Sequence, residues 1–353
     1  MTRNLTIRAL LDLDPADGLG LCWEKLVRGS CASGIMQSLH WRQAKLLQGY
    51  SALHLGVFMH DDLIGGAIFY NFGNQNGTSL LVAPEGPVLG WSDKPLAAEV
   101  LRLIIDTAQA RAQELGAVGI RIEPRLPAPL PAVLREFVRA PFDLVPHETL
   151  YIDLSLAEDE ILSAMKPKGR YNIRLAAKHG VVVHEDPTGA STTKFYRVLQ
   201  EASVRDSFAL EPLEFFETLV PALCEKKCAR LMFAEHEGDV LGALLLVAYG
   251  SRATYLYGGT SDAKRNFMGG YALQWHAMKA AKYAGCTVYD FYGYDPFRHS
   301  EHSYARFSQF KSQFGGGAVR FVGAHDYLFM DNLADTFIKL VSETSLATSI
   351  NQE

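Results

Sequence analysis

Two stretches of the chain repeat one order of apolar and polar positions. In the first, the strand-length apolar runs Leu63 to Phe69 and Leu80 to Pro84 precede a helical stretch from Pro95 to Leu115, a turn at Gly116 and the apolar segment Val118 to Ile122. In the second, Val240 to Leu246 leads to Thr254 to Gly259, a helix from Tyr271 to Ala284, a turn at Gly285 and Thr287 to Phe291. Glycine after a last helical turn supplies a left-handed cap, and short apolar runs bounded by turn residues read as strands. The shared order predicts two copies of one unit, each a strand pair, a long helix and a further strand.

Between the copies, Leu150 to Leu154 alternates as a strand does, and Ser155 with Glu158 forms a capping box for a helix through Met165. A boundary between two mixed α/β domains is expected there. Pro124 to Pro131 reads as an irregular excursion, followed by a short helix near Ala132 to Val138. Helices near Pro212 to Lys226 and Asp331 to Ser342 complete the pattern, without the heptads of a coiled-coil arm.

With 353 residues, 48% of them hydrophobic, the chain can bury two cores. Its net charge of -5 excludes a protein coated in positive charge, so a polyanionic partner has to be held by local basic patches. Five cysteines without CxxC spacing, and no leader segment before them, fit a reducing cytoplasm. Cys224 and Cys228 lack histidines at zinc-like spacing, and His299 with His302 lacks a thiolate or carboxylate set, so no metal is assigned. The apolar stretches are too short to span a bilayer, which leaves peripheral membrane contact.

One basic patch stands out. Lys166, Lys168, Arg170, Arg174 and Lys178 fall within thirteen residues that contain no acid. Arg170, Arg174 and Lys178 recur every four residues, so a helix would stack them on one face while Ile173, Leu175 and Ala176 turn inward. An ordinary solvated basic helix is the alternative.

The run from Met165 to Val181, which reads K-x-R-Y-N-I-R-x-A-x-K-x-G-V from Lys168 onward, resembles the Fem family of non-ribosomal peptidyltransferases. So do Gln37-Ser38 with Trp41 and Lys45, Pro84-Glu85-Gly86-Pro87, Arg205-Asp206-Ser207-Phe208, Tyr255-Leu256-Tyr257-Gly258, and Phe307 to Lys311 before Phe314-Gly315-Gly316. The resemblance covers nearly the whole chain. It implies an α/β fold of mixed sheets in tandem acetyltransferase-like (GNAT-like) domains, the first from residues 1–150 with 318–353 and the second from 151–317. It also implies transfer of an amino acid from aminoacyl-tRNA to the diamino-acid side chain of a peptidoglycan precursor, UDP-linked or lipid-linked, with no dissociable cofactor. The lack of a long helical hairpin is similar to the smaller members, which act on the nucleotide-linked precursor. Two departures are the acidic Glu85, where the family often carries Arg, and Met268-Gly269-Gly270-Tyr271, where a Pro-Asn pair is common.

By these motif positions, Lys45 and Arg205 would hold the precursor diphosphate, and Tyr257, with Tyr255 beside it, would reach the precursor sugar or phosphate from one shared strand face. Lys166, Lys168, Arg170, Arg174 and Lys178 would meet the tRNA. Phe310 would stack the terminal adenosine while Lys311 stabilises the oxyanion of the ester under attack. Each also has a structural alternative: a solvated lysine for Lys45, pairing with Asp206 for Arg205, core packing for the tyrosines. No residue is assigned as general base, and Asp290 and Asp295 are left without that role. A coenzyme A-dependent acyltransferase is the main competing class, because Arg265 to Gly270 resembles a pyrophosphate loop whose glycines fall one position late. A non-catalytic module that binds tRNA or a wall precursor is the third.

Overall fold

A computed structural model describes residues 3–73, 79–297 and 305–329, which form two compact units. The chain of the first runs through β1 (Leu5–Ala9), α1 (Gly18–Gly29), α2 (Leu39–Leu47), β2 (Ala52–Met59), β3 (Asp62–Gly73), β4 (Ser79–Pro84), α3 (Lys94–Leu115), β5 (Ala117–Glu123) and β6 (Val138–Arg139). The second contains β7 (Glu148–Asp153), α4 (Glu158–Ala164), α5 (Pro167–Lys178), β8 (Val182–Asp186), α6 (Thr192–Asp206), α7 (Leu213–Glu225), β9 (Ala229–His236), β10 (Asp239–Tyr249), β11 (Arg252–Thr260), α8 (Gly269–Tyr283), β12 (Val288–Asp290), α9 (Ala305–Lys311) and β13 (Gly317–Arg320). The chain then returns to the first unit with β14 (His325–Leu328).

Each unit is built on a seven-stranded mixed sheet, ordered β1-β2-β3-β4-β5-β14-β6 in the first and β13-β7-β12-β11-β10-β9-β8 in the second. The repeated pattern takes the same form in both. β3 and β4 pair antiparallel, α3 crosses over, and β5 returns parallel to β4; β10, β11, α8 and β12 repeat this. Helix α3 starts where the Asp93 side chain accepts the Leu96 N–H and ends at Gly116 with φ 64°. Its apolar face packs Val100, Leu101, Ile104 and Ala108 against Leu55, Phe69, Leu81 and Ile120 of the sheet. In the second unit Leu273, Ala277 and Met278 of α8 pack against Met232, Leu244 and Leu246.

Three local expectations change. Ser155 bonds to Asp153 instead of capping α4, and Glu160 accepts the Ala157 N–H at 2.8 Å, so the helix starts later. The expected helix near Ala132 is a single 3-10 turn, Ala132–Leu134, ahead of the short β6. The expected helix from Asp331 to Ser342 lies outside the described residues.

Candidate active site

A cleft of about 430 Å³ opens in the second unit, bounded by the end of α6, the outer half of β11, the first turn of α8 and α9. β12 pairs with β11 only from Arg252 to Thr254, which leaves the rest of β11 to line the opening. The lining is aromatic: Phe208, Tyr255, Tyr271, Phe307 and Phe310 face it, with Gly269 and Gly270 at the start of α8. The Phe310 and Tyr271 rings meet edge to face at 5.0 Å, and burial raises both the Tyr255 and Tyr271 hydroxyls above the ordinary phenol range. Stacked bases or a sugar edge suit such walls.

Lys311 ends α9 next to Phe310, and its side chain is buried beside the cleft-lining Tyr255. Its Nζ donates to the carbonyls of Tyr292 at 3.1 Å and Gly293 at 2.5 Å, and lies 5.8 Å from the Tyr255 ring centre. Burial pushes the ammonium down to about 7, while the Asp290 carboxylate opposes the shift. A charge fixed by carbonyls in a dry setting suits oxyanion stabilisation better than a mobile surface lysine does.

Tyr255 and Tyr257 do not share a face. Leu245 pairs with Tyr257 and Leu246 with Tyr255, so Leu256 is an extra residue on β11, and the bulge turns the two rings to opposite sides. Tyr255 joins the α8 side, whereas Tyr257 packs 5.0 Å from Phe216 of α7. Arg205 lines the cleft, but its guanidinium meets Asp206 in a two-point contact at 3.2 and 2.7 Å and donates to the Thr260 carbonyl and Asp262. Much of its charge is thereby answered within the protein.

The basic helix is α5, and its outward residues are Lys168, Tyr171, Arg174 and Lys178. The expectation that Arg170 shares that stripe is corrected. It is half-buried, and its guanidinium donates to the carbonyls of Ser163 and Met165 at the end of α4. Carbonyls at a helix end lack helical partners, so a nearby cation is favoured there over solvent. Lys166 likewise donates to Ser312 Oγ at 3.1 Å. Gly169 permits this packing, because a Cβ there would stand 2.3 Å from the Gln313 carbonyl oxygen.

In the first unit, Lys45 is buried on α2, donates to Gln48 at 3.0 Å and sits 4.2 Å over the Tyr50 ring. Glu85 is buried as well, accepts the Met36 N–H at 3.2 Å and lies 3.9 Å from Arg125. The acidic departure in that loop therefore has an internal role. His299 and His302 lie outside the described residues, and among the described residues no cluster of acids, His and Cys could hold a metal ion. Burial pushes the Cys224 thiol up to about 12. Thr149, which no sequence signal singled out, pairs with Asp290 directly behind the Lys311 acceptors.

The Acetyltransferase (GNAT) domain profile matches residues 165–306. Proteins named "Lipid II:glycine glycyltransferase" from Staphylococcus aureus are similar along most of the chain. The one from strain MRSA252 is 23% identical over 86% of this chain and 90% of its own length, and another is 24% identical over 83% and 88%. The crystal structure of FemX has the same fold, with a TM-score of 0.79, 21% identity and coverage of 89% of this chain and 97% of FemX. A tandem GNAT protein from the clavulanic acid biosynthesis pathway shares the architecture more distantly, with a TM-score of 0.56 and 11% identity over 92% and 98% of the chains. Matched in sequence along most of its length to these glycyltransferases and in fold to FemX, the chain is similar to Fem-family proteins and contains a GNAT-like domain.

Proposed function

We propose that this protein transfers an aminoacyl group, glycine foremost, from aminoacyl-tRNA to the side-chain amine of a diamino acid in a peptidoglycan precursor, building an interpeptide bridge. The observation that carries the reading is the buried Lys311 ammonium, held by two carbonyls next to an aromatic cleft of the GNAT-like unit. The acceptor amine attacks the ester carbonyl, a C–N bond forms, the C–O bond to the ribose breaks, and the amine proton passes to the departing ribose oxygen. Negative charge collects on the carbonyl oxygen in between, where Lys311 stabilises it. Phe310 and the neighbouring rings suit the terminal adenosine, and the outward cations of α5 suit the phosphates of the acceptor arm. The names of the similar glycyltransferases support glycine as the donor residue and a lipid-linked acceptor. Lys45 and Arg205 are assigned to the precursor diphosphate.

The domain division at about residue 150, the return of the C-terminal segment to the first domain and cytoplasmic placement belong to the same reading. Among the described residues no helix is long and apolar enough to cross a membrane, which agrees with peripheral contact if the acceptor is lipid-linked. A coenzyme A-dependent acyltransferase is the second reading, favoured by the GNAT match and by Gly269 and Gly270 at the cleft. Incubation with mixed aminoacyl-tRNA and with nucleotide- and lipid-linked precursors should give a precursor mass shift of one glycine. Acetylation from acetyl coenzyme A without a response to tRNA would establish the second reading.

A further inference from the structure

Asp290, the last residue of β12, is fully buried, and its Oδ1 accepts the Thr149 hydroxyl at 2.6 Å and the Tyr292 N–H at 2.9 Å. Tyr292 is held at φ 48°, a left-handed conformation that a residue with a large side chain adopts only when its surroundings impose it. The carbonyls of Tyr292 and of Gly293 are the acceptors that hold Lys311. A single carboxylate thus joins β7 to the turn that fixes the ammonium, and Arg252 Nε lies 4.0 Å from its other oxygen.

We propose that Asp290 is the positioning residue for Lys311, pinning the turn that supplies both of its carbonyl acceptors and providing its counter-charge. The inference rests on Lys311 as the oxyanion-stabilising group. Asp290 acts here through the turn it holds and is given no general-base role. Without it, the turn that presents the Tyr292 and Gly293 carbonyls would lose its carboxylate anchor, and the buried ammonium would lose the charge that opposes its desolvation. The titratable and charged groups of the surrounding elements include Tyr289 from β12, Tyr292 and Tyr294 from the turn, Arg252 and Tyr255 from β11, Glu148 and Tyr151 from β7, Lys166 at the start of α5, and Asp295 ahead of α9. Asp290 is the group among these that favours the protonated lysine.

The test uses the full chain and Asp290→Asn, which keeps the shape and an acceptor oxygen but removes the charge. Two readouts are taken: the pH profile of kcat for aminoacyl transfer, and the titration of Lys311 itself by NMR of 15Nζ-labelled lysine, assigned through Lys311→Arg. Both should move to lower pH by roughly 1–3 units, the range for losing a close opposite charge, with precursor KM within about twofold. A Lys311 titration unmoved in the folded variant overturns the proposal. A moved titration with an unmoved kcat profile upholds the positioning and overturns Lys311 as the catalytic group. If Asp290→Asn does not fold, Thr149→Val keeps the charge and loosens the pin; it should lower kcat several-fold with the pH profile in place, and an unchanged kcat overturns the pinning.

Discussion

Tyr255 and Tyr257 face away from each other on β11, because the extra residue Leu256 has no register partner on β10. One ring borders the cleft beside Phe310, and the other is packed on Phe216 beneath α7. The bulge thereby separates a residue available to substrate from one committed to the core. Tyr257→Leu should lower the thermal midpoint, through a loss of about 1–3 kcal/mol of packing, and leave kcat/KM of the folded enzyme within about threefold. Tyr255→Leu should lower kcat/KM well beyond threefold, with a loss of stability as well because that ring also packs near Phe291. Melting curves set beside initial rates would decide it.

Lys45 and Arg205 carry unequal expectations for the precursor diphosphate. Lys45 donates to a neutral amide and sits over a ring in the first unit. Arg205 is already paired with Asp206 and Asp262, so a phosphate gains less from its charge. Calorimetric titration of the nucleotide precursor should show a loss of about 1–3 kcal/mol for Lys45→Ala and a smaller one for Arg205→Ala. Equal affinities for wild type and Lys45→Ala would remove Lys45 from the site.

The repeated strand-helix-strand order was legible because it rests on local signals: apolar runs of strand length and the glycines that end α3 and α8. The faces of particular residues were less so. Periodicity placed Arg170 with Arg174, but the carbonyls at the end of α4 claimed its guanidinium, a tertiary choice that spacing does not encode. The bulge at Leu256 inverted an alternation rule that holds only for regular strands. Thr149 and Asp290 are distant in sequence and meet only when β12 settles beside β7.

For tRNA, the outward residues of α5 set the expected salt dependence. Replacing Lys168, Arg174 and Lys178 with Gln should reduce the slope of log K against log salt by about 2–3, at roughly 0.7–0.9 for each phosphate no longer neutralised. Filter binding between low and moderate salt would measure it. Arg170→Gln should instead lower stability at the junction of α4 and α5, with little change in slope.

Glu123 provides a stability signal independent of catalysis. Burial pushes its carboxyl up to about 8, despite hydrogen bonds from the Leu144 and Val145 N–H groups. A folded value above the unfolded one means the folded state holds the proton more tightly. Its contribution is therefore full below about 4.5 and is lost as pH rises through about 8. Wild type should lose more stability between pH 5 and pH 8.5 than Glu123→Gln does, by a few kcal/mol at most, at about 1.4 kcal/mol per unit. Denaturant midpoints at the two pH values would show it, and parallel losses would place the titration elsewhere.

Lys311 is the group on which turnover should depend most steeply. Its ammonium is fixed by the Tyr292 and Gly293 carbonyls, so it meets a developing oxyanion without reorganising, and Lys311→Ala should lower kcat by about two to three orders of magnitude with precursor affinity nearly unchanged. Lys311→Arg keeps the charge but brings a longer planar group to a seat shaped for one nitrogen, so it should restore only part of the rate. The pH dependence has a defined sign. Because the acting form is protonated and burial holds its value at about 7, kcat should fall as pH rises through that region, opposite to an enzyme limited by a general base. Equal losses of precursor binding and turnover in Lys311→Ala would instead mark the residue as a ground-state or structural contact.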